Sequence, residues 1–327
     1  MLPELFIALL AGVVLGASAH RAGLCTVKAV LEVVTSGQAH FLWSFLKAAL
    51  WTAGLLSLAQ AFGADVTLGH RPVLIVGLIG GVLFGLGAGL NGACSFSTLS
   101  RLAEGHLAMV FTLAGWAVAM TGVLNWLPGL HAPAGVGTMP RQMAVPLALW
   151  MLWEGLGIWR RRSAILAGAK AGHIALSPAV LLIALANSTL LLDGTPWSFT
   201  STALCSSGPL PLAPCQHSGL LWAVSGAALM TMLGSALWRG SFRIRWPSWK
   251  SGMRHFVGGL MMGAGAALIP GGNDGLLLFG LPALSPHALP TWAAIILGVA
   301  FALTAMRRAG VHLPLISCQG DICRSAL

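Results

Sequence analysis

Apolar residues along this chain gather into runs about as long as a bilayer is thick, separated by short stretches rich in Pro, Gly and polar residues. Nine runs stand out, at residues 5–22, 41–62, 73–93, 106–127, 143–159, 174–192, 218–238, 256–279 and 291–306. A helix of about 20 apolar residues crosses about 30 Å of hydrocarbon, so each run predicts one crossing. The fold class this predicts is an all-α polytopic membrane protein. It forms a single integral domain over 1–327, with a first half to about residue 160, a second over about 170–310, and a short tail at 307–327.

Composition agrees. Hydrophobic residues make up 57% of the chain and charged residues 8%, whereas a soluble domain carries roughly 25% charged residues. The net charge of +10 would fit a nucleic-acid partner if it were patched with aromatics, but it is sorted by loop. Of eighteen Lys and Arg, fifteen fall in one set of alternate loops and the C-terminal tail; the other set holds only Arg71 and Arg141, and Lys47 lies inside the second run. That is the positive-inside pattern. It predicts an odd number of crossings, an outer N-terminus, a cytoplasmic C-terminus and contact with anionic lipid. Ala17-Ser18-Ala19 resembles a signal cleavage site, but Glu4 and the lack of Lys or Arg before the first run keep that run as a membrane helix.

The third run ends GGVLFGLGAGLNGAC, Gly80 to Cys94. Each such glycine would cost a soluble helix about 1 kcal/mol relative to alanine. The spacing recurs: Gly12-x3-Gly16 is followed thirteen residues after Gly12 by Cys25, and Gly81-x3-Gly85 by Cys94 at the same distance. A third copy, Gly259-x3-Gly263, has Gly272 at position thirteen, inside a Pro270-to-Asp274 turn. Glycines four apart let helices pack closely in lipid. Glycine density ahead of a cysteine also predicts interrupted or re-entrant helices, which are tolerated at membrane depth where they are buried or line a polar cavity. Their N–H groups are natural anion ligands. Under the charge-derived topology the first two copies run inward and the third outward, the sense of an inverted internal repeat.

Gly81 to Cys94, with Arg101 and the Glu104-Gly105-His106 turn, resembles the sulfur-transport family known as YeeE/YedE. His20 to Ala29 is similar to that family's first cysteine motif, Gly258 to Gly272 to its last glycine motif, and Asp193 to Leu204 to its G-x-P-W loop. The resemblance implies a bacterial inner-membrane permease with an hourglass of helices that takes up thiosulfate, three cysteines at the constriction handing the ion along. Cys25 and Cys94 match the first two; Gly272 stands in the place of the third. Either two thiols suffice, or Asn273 and Asp274 substitute as polar groups, or the substrate is another sulfur or selenium species. The resemblance also implies a small soluble sulfur-carrier protein as cytoplasmic partner.

The residue chemistry suits a small anion. A neutral thiol is a soft, weak donor, and an apolar setting keeps it protonated. Backbone N–H groups of Gly89, Gly92 and Ala93 are further candidate donors. Arg101 and Lys28 would attract anions at an inner mouth, although topology alone asks for cations there. Asp274, an ionisable group in an apolar run, is a candidate gate or simply part of a turn. Cys205 and Cys215 lie in the outer loop 193–217, either as a disulfide or as two thiols. Cys318 and Cys323 form a C-x4-C pair in the tail, which we expect to be plain reduced thiols, the alternative being a docking point for a sulfur-handling partner; alone they are too few for a zinc site. No metal or cofactor is expected. His20, His106, His173 and His255 lie at segment ends, where interfacial anchoring accounts for them. A membrane sulfurtransferase forming a persulfide on Cys94 is the alternative function, but no CxGxxR-type loop is present, and no P-loop supports ATP use.

Overall fold

Long apolar runs become helices because lipid offers the backbone no other hydrogen-bond partner. The computed structural model describes residues 2–127, 135–138, 140–170, 174–207, 215, 218–269, 271–319 and 321–326. The first half holds α1 (Leu2–Ala22), α2 (Thr26–Ser36), α3 (His40–Ala61), α4 (Ile75–Asn91), α5 (Ser95–Ala103), α6 (Ala108–Trp126), α7 (Ala144–Arg160) and α8 (Arg162–Lys170). The second holds α9 (Leu176–Leu192), α10 (Phe199–Ser206), α11 (Ser218–Trp238), α12 (Trp249–Leu268), the short α13 (Gly272–Gly275) leading into a π-turn at Leu276–Gly280, and α14 (Ala288–Arg308). Among the described residues, six helical stretches are long and apolar enough to cross a membrane. Two small antiparallel ribbons qualify the all-α expectation: β1 (Leu68–His70) with β2 (Gly135–Gly137), and β3 (Leu315–Gln319) with β4 (Ile322–Ala326).

The glycine motifs are packing surfaces. On α1, a Cβ at Gly12 would lie 2.6 Å from the Val224 carbonyl of α11, and one at Gly16 would strike Ala228 O. On α4, Gly81 and Gly85 face the Thr291 and Ile295 carbonyls of α14, while Gly87 on another face meets Gly258 of α12. On α12, Gly259 and Gly263 face the Thr112 and Trp116 carbonyls of α6. Side chains there would force the backbones apart. The bilayer-length glycine helix is therefore stabilised by contacts that only a missing Cβ permits.

Contacts between helices pair off across the halves. α1 packs on α11 as α9 packs on α3; α4 packs on α14 as α12 packs on α6; α1 meets α9, and α4 meets α12. α7 sits beside α3, joined by the buried ion pair Lys47–Glu154, with Lys47 Nζ also donating to Ser177 Oγ of α9 at 3.1 Å.

Loops associate in two separate groups. At one end β1 pairs with β2, Arg71 N–H donates to Ser285 Oγ (2.9 Å), and His287 N–H donates to Arg71 O (3.3 Å). At the other, Arg243 and Arg245 N–H donate to Glu104 and Gly105 carbonyls (3.0 and 2.9 Å), and Leu176 N–H donates to Asp321 O (2.9 Å). Asp321 also pairs with Arg161 at 2.9 Å.

Several expectations change. Residues 26–36 and 199–206, outside the nine runs, form helices α2 and α10. The eighth run starts at Trp249 rather than 256. Cys318 and Cys323, expected as reduced thiols, face each other as register partners in the β3–β4 hairpin and are joined by a disulfide. Cys205 and Cys215 are also joined. His173 and Pro270 lie outside the described residues.

Candidate functional site: four helix starts at one junction

Among the described residues six long helices end on a left-handed glycine, and three of them, α1, α4 and α9, lead straight into a short helix. Gly23, Gly92 and Gly194 are left-handed (φ 63°, 72° and 72°), a conformation glycine adopts without a Cβ penalty. The next N–H turns back onto the helix: Leu24 to Ala19 O (3.2 Å), Ala93 to Ala88 O (3.2 Å), Thr195 to Leu190 O (2.8 Å). These are Schellman-type caps. The expectation that Gly92 and Ala93 offer free N–H groups is therefore corrected: both donate to Ala88 O, and Gly89 sits within α4. α12 breaks differently, through two consecutive left-handed glycines, Gly271 and Gly272 (φ 85° and 64°).

After each break a short helix restarts, and the starts meet. Cys25 precedes α2, Cys94 precedes α5, Ser198 precedes α10 and Gly271 precedes α13. Cys25 and Cys94 are free thiols, 1% and 2% exposed. Ser97 sits between them, its Oγ 3.0 Å from Cys25 Sγ and 3.5 Å from Cys94 Sγ, while it accepts the Cys94 N–H at 2.8 Å. From α2 the contacts continue to α13, where Asn273 Nδ2 donates to Thr26 Oγ1 at 3.3 Å. From α13 they reach α10, where Thr200 N–H donates to Asp274 Oδ2 at 3.1 Å. Ser198 Oγ caps α10 by accepting the Ser201 N–H at 2.9 Å. Ser95 Oγ is fully buried with no protein partner.

Positive helix ends are thereby gathered at one buried point. First-turn N–H groups have no intrahelical acceptor and carry the partial positive charge of the helix dipole. No side chain caps α2 at Cys25. Beside the thiols, Phe96, Trp197 and Phe199 pack edge-to-face at 4.8–6.0 Å, fastening α5 to the loop before α10. Trp197 is fully buried and donates to Ser225 Oγ at 2.9 Å.

Gly272, which the resemblance sets in the place of the third thiol, lies in the break itself. Its φ is left-handed, and a Cβ there would collide with Thr200. Counting two residues on from the left-handed glycine, as from Gly23 to Cys25 and Gly92 to Cys94, leads from Gly271 to Asn273. Asn273 is the residue of this turn whose side chain touches α2.

The basic residues after the cysteines fold back over their own breaks. Lys28 Nζ donates to Gly23 O at 3.4 Å, and Arg101 Nη1 lies 3.7 Å from where a Gly92 Cβ would stand. Nearby, His20 Nε2 lies 3.4 Å from Glu104 Oε1, with its Nδ1 at Ser235 Oγ (3.1 Å). Burial pushes the Glu104 carboxyl up, but His20, by hydrogen bond and charge, with His106 and Lys28, outweighs it and holds Glu104 below its ordinary value. Burial, then Arg245 and Arg101, lower His106. A neutral His106 Nε2 accepts from Arg245 Nη1 at 3.0 Å.

Interfacial anchoring does not describe His20 or His255. His255 Nδ1 contacts Asn91 Oδ1 at 2.7 Å, and the same oxygen accepts from Thr112 at 2.7 Å. Asn91 Nδ2 in turn donates to Ala93 O and Thr98 Oγ1 (3.0 and 3.1 Å), bracing the break before Cys94. Sequence reading missed Asn91, Ser97, Thr26, Ser198 and Thr200. Only Ser198 had a local signal: a Ser-x-x-Ser cap shortly after Gly194.

A family model described as sulphur transport matches residues 21–301, spanning both cysteine breaks and the α10 and α13 starts. The chain belongs to that family. It is a multi-pass membrane protein of sulfur transport, as the motif resemblance implied. It is also 27% identical over 326 residues, covering 88% of this chain and 94% of the relative, to a protein named thiosulfate transporter TsuA from Spirochaeta thermophila.

Proposed function

We propose that this chain is a permease that takes up thiosulfate or a closely related sulfur anion across the bacterial inner membrane, through the junction of the four helix starts. The observation that carries the reading is the placement of two free buried thiols, bridged by Ser97, among converging helix N-termini. A small dianion needs donors that offset its charge without holding it. Weak S–H donors and the first turn of α2, which no side chain caps, meet that need. Cys94 and Cys25 bind the ion, Asn273 takes the third position as an amide donor, and Lys28 and Arg101 draw anions to the inner mouth. Asp274 is the gate: anchored on Thr200 N–H, it sets how α13 faces the thiols.

The same reading takes nine crossings, with α1–α2, α4–α5, α9–α10 and α12–α13 each crossing as a broken pair. The two separate groups of associating loops support it, because each group joins loops assigned to one side. The outer group holds Arg71; the inner holds Arg101, Arg161, Arg243 and Arg245, which supports an outer N-terminus and a cytoplasmic tail. The reciprocal packing of α1 on α11 and α9 on α3, and of α4 on α14 and α12 on α6, supports an inverted repeat with α7 as the odd segment. A soluble sulfur carrier would dock at the inner basic end.

The test is uptake of labelled thiosulfate by cells that depend on this chain. Uptake by the wild type and its loss in Cys94→Ala is the expected result; full uptake by Cys94→Ala would remove the thiol from the path. Mass spectrometry of Cys94 after exposure to thiosulfate separates a permease, whose thiol stays unmodified, from a sulfurtransferase, which would carry a persulfide.

A further inference from the structure

The tail hairpin meets the α2–α3 turn at a cluster the transport path does not use. Glu32, fully buried near the end of α2, accepts from His40 N–H (3.1 Å) and Phe41 N–H (2.9 Å), and His40 Nδ1 lies 2.9 Å from its Oε1. Cys318 Sγ, on β3, stands 3.1 Å from the same oxygen. Ligand atoms of Glu32, His40 and Cys318 all lie within 4.8 Å of one another. Cys323, bonded to Cys318, brings a second sulfur to the same place. The C-x4-C pair lacks two ligands in the sequence; the fold supplies a carboxylate and an imidazole from residues nearly three hundred positions away.

We propose that, with the Cys318–Cys323 bond reduced, Cys318, Cys323, His40 and Glu32 hold one zinc ion that fastens the C-terminal hairpin to the α2–α3 turn. Two sulfurs, one nitrogen and one oxygen make a tetrahedral donor set. Ligands about 2.0–2.3 Å from zinc stand about 3.3–3.8 Å apart; Glu32 Oε1 already lies 2.9 Å from His40 Nδ1 and 3.1 Å from Cys318 Sγ, and the two bonded sulfurs separate on reduction. A disulfide sulfur has no proton to share with Glu32, whereas a thiolate and a carboxylate beside each other call for a cation. Reduction by a small-molecule thiol or dithiol supplies two electrons and two protons and leaves that reductant as a disulfide. Zinc then displaces the two thiol protons. Thiol–disulfide exchange with the small-molecule disulfide passes the two electrons from the two thiolates to it, re-forms the Cys318–Cys323 bond and releases the ion, while solvent protonates the small-molecule thiols; the site is either metal-filled or cross-linked.

The hairpin also holds Arg161 through Asp321 and the start of α9 through Leu176 N–H. The ion would close a strap from α2, which carries Cys25 at its other end, to the second half of the molecule. This inference is independent of which anion is carried.

The experiment uses the full-length chain purified in detergent under reductant, loaded with zinc alone and dialysed. We expect one zinc per chain by elemental analysis, and with cobalt substituted, the thiolate-to-metal absorption of a tetrahedral site. Cys318→Ser with Cys323→Ser, outside the membrane helices, should lose both signals, His40→Ala should weaken retention, and oxidation with diamide should release the metal. No retained zinc in the reduced wild type, or retention unchanged in the double serine variant, would overturn the site.

Discussion

The two halves of the junction share a backbone plan and differ in chemistry. In the first half, Cys25 and Cys94 start the short helices; in the second, Ser198 and Gly271 do. One side is soft, a pair of thiols around Ser97. The other is hard and polar, an amide, a carboxylate and hydroxyls joined to each other. Close packing through glycine is common to both, so it belongs to the scaffold. On the proposed reading, the thiols belong to the half that selects sulfur.

The comparison can be broken most severely at the scaffold. Gly85→Leu in the first half and Gly263→Leu in the second both drive a side chain into a neighbouring carbonyl, Ile295 O and Trp116 O. Neither variant should yield a monodisperse peak on size exclusion in detergent, since overpacking costs about 1–3 kcal/mol per site or more. A fold that tolerates one and not the other would show the halves to be packed by different rules.

Next comes selectivity. Cys94→Ala should lower thiosulfate uptake at least about tenfold, equivalent to about 1.4 kcal/mol, whereas Asn273→Ala should lower it only a few-fold. The reverse order would place recognition in the polar half. A smaller effect concerns stability alone: Cys205→Ser opens a disulfide loop beside α10 and should cost about 2–3 kcal/mol, read as a lower melting temperature in oxidising buffer and no change under reductant.

The smallest effect is a pH dependence at the outer end. Burial, then Arg71, push His287 down to about 4. Unfolded, it titrates near its ordinary value of about 6.5, so the unfolded chain binds the proton first. Stability present above pH 6.5 is lost as pH falls towards 4. His287→Asn, which keeps a hydrogen-bonding group near Ser285, should flatten the fall in melting temperature between pH 7 and pH 5.

Much of the architecture was legible because crossing a bilayer leaves a crude signature. The run at 218–238 coincides with α11, and most other boundaries fall within a few residues. The glycine-to-cysteine spacing located two of the four helix starts. The α10 start was hidden because eight residues are too few to leave a pattern, and α9 reaches its break without a glycine pair. Ser97 and Thr26 were hidden for another reason: each matters through a partner on a different helix. The free N–H groups expected at Gly92 and Ala93 failed on local grounds, since a left-handed glycine after a helix turns those donors back onto the last carbonyls.

The buried pair Lys47–Glu154 has a consequence for biogenesis. The two residues are 107 positions apart in the chain, so at about 5–20 residues per second the ammonium waits roughly 5–20 s after its own synthesis for the carboxylate to be made. An unpaired lysine in mid-helix costs roughly 2.5–3.5 kcal/mol on insertion. Lys47 is the eighth of the 22 residues of α3, and its long side chain can extend towards the nearer headgroups in the meantime. The pair therefore forms only after α7 has been made, which ties the final setting of α3 to a segment synthesised well after it.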